Sequence, residues 1–118
     1  MLKKNIIESY SFGFMRVNGR DFKNDLIVYP DKISANWWRK QGHLLVLEDL
    51  KEVINYKPEK LIVGTGNMGV MVVPETTVDE LKKKNIEVIS KSTKEAVDIF
   101  NQLIELNKNV VGAFHLTC

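Results

Sequence analysis

Cysteine occurs once in the 118 residues, at Cys118, so no disulfide can form within the chain and no Cys-rich zinc framework can be built from it. With only 3 Pro and 7 Gly, the chain has neither a collagen-like repeat nor a linker-rich composition. No apolar run reaches the ~18–20 residues of a membrane-crossing helix. The longest weakly polar stretch, 61–73, is broken by Gly64, Gly66, Asn67 and Gly69. Neither sign of charge dominates. The 17 Lys+Arg against 15 Asp+Glu leave +2, too little for a dedicated nucleic-acid or membrane-surface binder. Histidine appears only as His43 and His115, and the chain has no H-E-x-x-H motif and no Ser–His–Asp arrangement.

What is present is ordinary for a folded domain: 44% apolar and 27% charged residues in about one domain's length, read as a single α/β domain over 1–118. Met1-Leu2-Lys3-Lys4 is followed by Glu8, Ser9 and Tyr10 rather than an apolar core, so a secretory leader is not expected. With the lone cysteine, this makes the cytoplasm the expected compartment.

The first third reads as an antiparallel meander. Asn18-Gly19 is its strongest turn signal, because both residues accept the positive φ of a tight hairpin turn. Strands are expected on either side of it, at Leu26-Ile27-Val28-Tyr29, and from Ile33 towards Trp38. The period then changes. Leu47, Leu50, Val53 and Ile54 share a helical face, and the helix near 49–56 should stop before Pro58. Leu61-Ile62-Val63 reads as a buried strand and Val70 to Val73 as another. Thr77-Val78-Asp79-Glu80 is a capping box that predicts a helix over 77–84, ended by Asn85 in the left-handed region. A strand follows over 86–90. Ser92-Thr93-Lys94-Glu95 is a second capping box, opening the longest helix near 93–107 on a stripe of Ala96, Val97, Phe100, Leu103 and Ile104. Residues 110–115 form a continuous apolar run, expected as a central strand buried on both faces. Alternating strands and helices imply crossovers and a mixed, mostly parallel sheet behind an N-terminal antiparallel layer. The expected core comprises Ile62, Val63, Leu81, Val88, Val97, Phe100, Ile104, Val111 and Phe114.

Gly64-Thr65-Gly66-Asn67-Met68-Gly69 matches G-x-G-x-x-G after a strand. Dinucleotide binding further requires a helix starting inside the glycines and an acid about 20 residues on. Here a β-branched run follows, and Glu87 sits at the wrong end of its strand. A tight turn is the simpler reading, with an anion-binding concavity as the alternative. If strands 61–64 and 86–90 are parallel, that site would gather Gly64, Thr65, Gly66, Asn67 and Gly69 with Lys91, Ser92 and Thr93 at a helix N-terminus. Trp37-Trp38-Arg39-Lys40 combines aromatics with positive charge. One tryptophan should enter the core and the other remain at the surface, suited to a protein contact more than to nucleic acid. His115 and Cys118 are an odd number apart and face opposite ways in a strand, so the ending is read as structural, with Cys118 poorly reactive. Neither catalytic nor metal-ligating residues are assigned, and no cofactor is expected.

Taken together, Tyr10-x-Phe12-Gly13, Val17-Asn18-Gly19, Asp25-Leu26-Ile27, Trp38-Arg39 with Gly42-His43, Lys57-Pro58-Glu59, Ile62-Val63-Gly64-Thr65-Gly66 with Gly69, Thr93 with Ala96-Val97 and Phe100-Asn101, and Phe114-His115-Leu116-Thr117-Cys118 carry a resemblance. Over nearly its whole length the sequence resembles the adipogenesis-associated domain proteins, the related mitochondrial complex I assembly factor 3, and their archaeal and bacterial relatives. The short form looks like a prokaryotic member. Asn85 stands where relatives often carry Gly, a difference confined to one loop. The resemblance implies a three-layer α/β fold and no particular reaction. The expected role is a non-enzymatic binding or assembly module whose partner is another protein. The alternative is a small-molecule or anion-binding protein, catalytic or not, at the glycine loop.

Overall fold

The computed structural model describes residues 4–118. Part of the reading against a leader rests on Met1, Leu2 and Lys3, which lie outside the described residues. Two sheets are present. The first is antiparallel, β1 (Ile7–Ser11), β2 (Phe14–Val17) and β3 (Arg20–Phe22), in that order. Asn18 at φ 47° and Gly19 at φ 79° make its tight turn, as their residue types require.

The second sheet has five strands. After β4 (Leu26–Val28) and β5 (Ile33–Ser34), a 3-10 turn (Leu47–Leu50) leads into α1 (Lys51–Tyr56), then β6 (Lys60–Thr65), α2 (Glu75–Lys83), β7 (Glu87–Lys91), α3 (Thr93–Glu105) and β8 (Val110–His115). The strand order is β5-β4-β8-β6-β7. β8, β6 and β7 run parallel, and β4 and β5 extend the sheet antiparallel beside β8. The chain crosses from β6 to β7 through α2, then passes back over β6 to β8 through α3. Two right-handed crossovers travelling in opposite directions put their helices on opposite faces.

The period-two pleat divides the core accordingly. Leu26, Val28, Ile62, Val110 and Phe114 meet Ala96, Phe100 and Ile104 of α3 together with Ile7, Met15, Val17 and Phe22 of the small sheet. Ile27, Leu61, Val63, Val111 and Ala113 meet Trp37, Leu45, Leu50, Val53, Met71 and Leu81 on the other side. Phe100 and Phe114 pack edge to face with ring centroids 5.9 Å apart. Gly112 makes room for them: a Cβ there would lie 2.5 Å from the Phe114 ring and 2.9 Å from Phe100 Cδ1. The small sheet is tied to α3 by Asn101, whose amide accepts from Ile7 N at 3.0 Å and donates to Ile7 O at 2.8 Å, as a neighbouring strand would.

Most of the expected core is buried. Val88 is only half-buried, because β7 is an edge strand. Four local expectations are corrected. Residues 70–73 form no strand: Met71 is buried while Val70 and Val72 are exposed, and Val72 makes one isolated parallel bridge to Leu44. Helix α2 begins two residues early, with Pro74 at its N-cap, and Thr77 spends its hydroxyl on Leu45 O at 3.1 Å inside the core. β5 ends at Ser34, short of Trp38, since the chain turns at Asn36 with φ 58°. Ser92 stands at the N-cap of α3, but the expected capping box does not form: its side chain caps no helix amide, and its hydroxyl donates instead to the Glu95 carboxylate at 3.0 Å. Asn85, at φ 64°, takes the left-handed conformation expected of it.

Candidate functional site

The glycine loop lies at the C-terminal end of β6, beside β7 and the start of α3. Thr93 ties these pieces together. Its buried hydroxyl donates to His115 O at 2.6 Å and accepts from Gly66 N at 2.9 Å, while its own N–H donates to Gly66 O at 3.0 Å. Thr65 Oγ1 donates to Lys91 O at 3.0 Å. The structure therefore brings Gly64, Thr65, Gly66, Lys91 and Thr93 together, with Ser92 at the helix cap and Asn67 and Gly69 on the exposed outer turn.

The Asn67 and Val70 amides of that turn are already in use. Asn67 N donates to Thr117 O at 2.7 Å and Val70 N to Cys118 O at 3.1 Å. A Cβ on Gly66, where φ is 108°, would collide with the Cys118 backbone. The glycines thus let the segment 116–118 lie directly on the loop, a close approach of backbone to backbone. Any ligand for these amides has to displace that segment. Cys118 itself is exposed.

A second constellation lies nearby. Asp25, at the entry to β4, receives three hydrogen bonds: His115 Nδ1 at 2.7 Å and Arg39 Nη2 at 2.8 Å on Oδ2, and Leu116 N at 2.8 Å on Oδ1. Arg39 is held further by Gly42 O, from Nε at 3.2 Å and Nη2 at 2.9 Å, and its guanidinium stacks over Trp37 at 4.7 Å. The Arg39 and His115 side chains are only 5% and 7% exposed. Burial alone would raise the Asp25 carboxyl, but the hydrogen bonds from His115, Leu116 N and Arg39 outweigh it and hold the group below its ordinary value. With Asp25 ionised, His115 presents its proton at Nδ1, which leaves Nε2 as the free ring position. Arg39 Nη1 and His115 Nε2 are both buried, and neither has a hydrogen-bond partner among the described residues. The exposed His43 ring meets His115 edge-on at 5.5 Å.

Beside the cluster opens a cleft of about 360 Å³, lined among others by Lys23, Asn24, Asp25, Trp38, Arg39 and Thr117. Sequence reasoning missed this constellation as a unit. Its only signal was that Asp25, Arg39, His43 and His115 all fell inside the motifs of the resemblance. Trp37 and Trp38 divide as expected, Trp37 into the core with Nε1 donating to Asp49 O at 3.0 Å and Trp38 80% exposed. Among the described residues no three His, Cys, Asp or Glu side chains group as a metal set, and no helix is long and apolar enough to cross a membrane.

Solved structures share this fold. A protein described as an outer membrane protein from Bartonella henselae superposes with a TM-score of 0.83 at 25% identity, covering 98% of this chain and 97% of its own. A conserved hypothetical protein from Pyrococcus horikoshii OT3 superposes with a TM-score of 0.79 at 28% identity, covering 95% and 98%. A Mth938-like domain from Bordetella pertussis, at 19% identity and a TM-score of 0.77 over 95% and 85%, shares the fold alone. The family model described as Protein of unknown function (DUF498/DUF598) matches residues 7–115, nearly the whole length, and the chain belongs to that family.

Proposed function

We propose that the protein is a non-enzymatic binding module of the assembly-factor kind, similar to complex I assembly factor 3-like proteins, acting on another protein in the cytoplasm. The observation that carries this reading is a set of exposed apolar side chains around the segment 116–118. Trp38 is 80%, Met68 75%, Phe12 60% and Val72 54% exposed. Phe12 precedes Gly13, whose N–H donates to Leu116 O at 2.8 Å. Trp38 and Thr117 line one cleft. Met68 lies in the turn held by Thr117 and Cys118, and Val72 N donates to His43 O at 2.8 Å. Tryptophan and methionine on one end of a small domain are the side chains enriched at protein interfaces, and grouped exposure of this kind marks a contact surface. Leu106 is exposed as well but follows α3, away from this group.

The test is site-specific photocrosslinking in the native host, with the probe placed in turn at positions 38, 68 and 106. The same discrete protein adduct from 38 and 68, and none from 106, is expected. A ladder of unrelated adducts, or none from 38 and 68, would overturn the reading.

A further inference from the structure

We propose that the Asp25–Arg39–His115 cluster is a binding site for a small oxyanion-bearing ligand, and that the ligand enters together with one proton, taken up at His115 Nε2. The argument starts from two nitrogens. Arg39 Nη1 carries N–H donors with no acceptor, and His115 Nε2 has no partner, although both are buried. Leaving such groups unsatisfied is costly, so each calls for a complementary atom. The rest of the guanidinium is committed, Nη2 to Asp25 and Gly42 O and Nε to Gly42 O. This fixes the plane in which Nη1 presents its hydrogens.

Charge sets the class of ligand. Arg39 is positive and Asp25 is held ionised, so with neutral His115 the cluster has no net charge. An oxyanion accepting from Nη1 adds one negative charge, and a proton on Nε2 cancels it while turning a lone pair into a second donor. The ligated cluster is again neutral and its nitrogens are paired. Asp25 and Arg39 line the cleft, whose volume of about 360 Å³ suits a small molecule and where Lys23 adds a cation on the approach. His115 does not line it but contacts both of them.

The groups around His115 permit the proton. Asp25 favours imidazolium and Arg39 opposes it. His43, edge-on at 5.5 Å, would oppose it only when itself protonated. Tyr10 of β1, whose hydroxyl donates to Leu116 O at 2.9 Å, is kept neutral because burial raises it. Thr65, opposite His115 in β6, and Thr93, bonded to His115 O, do not titrate in this range. The cleft shares Trp38 and Thr117 with the protein contact proposed above, but the anion is read at His115 and the protein adduct at positions 38 and 68, so either proposal can fail alone.

The experiment follows the imidazole nitrogens of His115 by NMR in the intact protein, titrated separately with acetate and with sulfate at constant ionic strength. Both probes keep their charge between about pH 6 and about pH 8, the range in which histidine changes its own. A saturable change at His115 Nε2 is expected. The apparent dissociation constant should rise with pH, approaching about tenfold per pH unit, the limiting slope of one linked proton. Saturation by acetate alone marks a carboxylate ligand, and by sulfate alone a phosphate- or sulfate-type ligand. R39K, which keeps the charge and loses Nη1, should abolish the change. If R39K does not fold, the pH slope in the wild-type protein decides. No saturable change with either anion, an affinity independent of pH, or a response that survives in R39K would overturn the proposal.

Discussion

Asp25 and His115 lie 90 positions apart in the sequence and are joined by a 2.7 Å hydrogen bond from His115 Nδ1 to Asp25 Oδ2. The same carboxylate reaches the next residue of the chain through Leu116 N. One acidic side chain therefore fastens the start of the antiparallel half of the sheet to the end of its central strand. It also neutralises a guanidinium that is almost wholly buried. Its removal should be felt as stability.

D25A leaves Arg39 buried without its counter-charge. Breaking one half of such a pair costs about 3–5 kcal/mol, read as a lower midpoint in urea unfolding. The pH dependence has a definite sign. The folded carboxyl titrates below its unfolded value of about 3.9, so its contribution is complete above that value and is lost as pH falls through the folded one. Wild-type stability should fall more steeply with acid than that of D25N. Equal slopes would mean that the carboxylate is not held ionised by the fold.

Gly112 faces Phe100 and Phe114 in the centre of the sheet. In G112A the new methyl has nowhere to go unless the two rings separate, and overpacking of this kind costs about 1–3 kcal/mol. A thermal melt unchanged from wild type would show that the aromatic pair is looser than its geometry implies.

Asn101 stands in for a peptide group beside β1. N101A removes both hydrogen bonds to Ile7 and leaves that residue's N–H and C=O unmatched, at about 1–3 kcal/mol each when fully desolvated. Hydrogen exchange should quicken at Ile7 while β8 remains protected. A uniform change across both sheets would mean that the small sheet does not open separately.

G66A puts a methyl into the Cys118 backbone at a φ that side chains rarely adopt, a local strain of about 1–3 kcal/mol. The segment 117–118 should lift, and the amides of Asn67 and Val70 should exchange faster. Unchanged exchange at those two positions would mean that the loop does not depend on the segment lying across it.

The sequence was readable where structure is local. Asn18-Gly19 announces a turn because few residue pairs tolerate its angles. The stripe from Ala96 to Ile104 announces α3, and the unbroken apolar run of β8 announces a strand covered on both faces. Val70 to Val73 misled because β-branched residues suggest pairing, whereas among the described residues Val72 bridges only to Leu44, in a loop no local pattern brings there. The cluster was unreadable for the same reason. Arg39 and His115 are 76 positions apart, and nothing in either neighbourhood says that they share an aspartate. The glycine loop was recognisable as a place of close approach. What approaches it, the segment 116–118, follows from the topology alone.

The position of β8 in the sheet has a consequence for synthesis. The last strand of the fold lies between β4 and β6, pairing with one antiparallel and with the other parallel. Until residue 115 clears the ribosome exit tunnel, β4 and β6 have no common neighbour, and the apolar faces of Leu26, Val28 and Ile62 await Val110 and Phe114. Local hairpins and α3 can form on the nascent chain, but the cooperative core closes only once β8 has emerged to pair with both neighbours. During that interval the two unpaired strand edges are the surfaces at which a truncated or stalled chain aggregates.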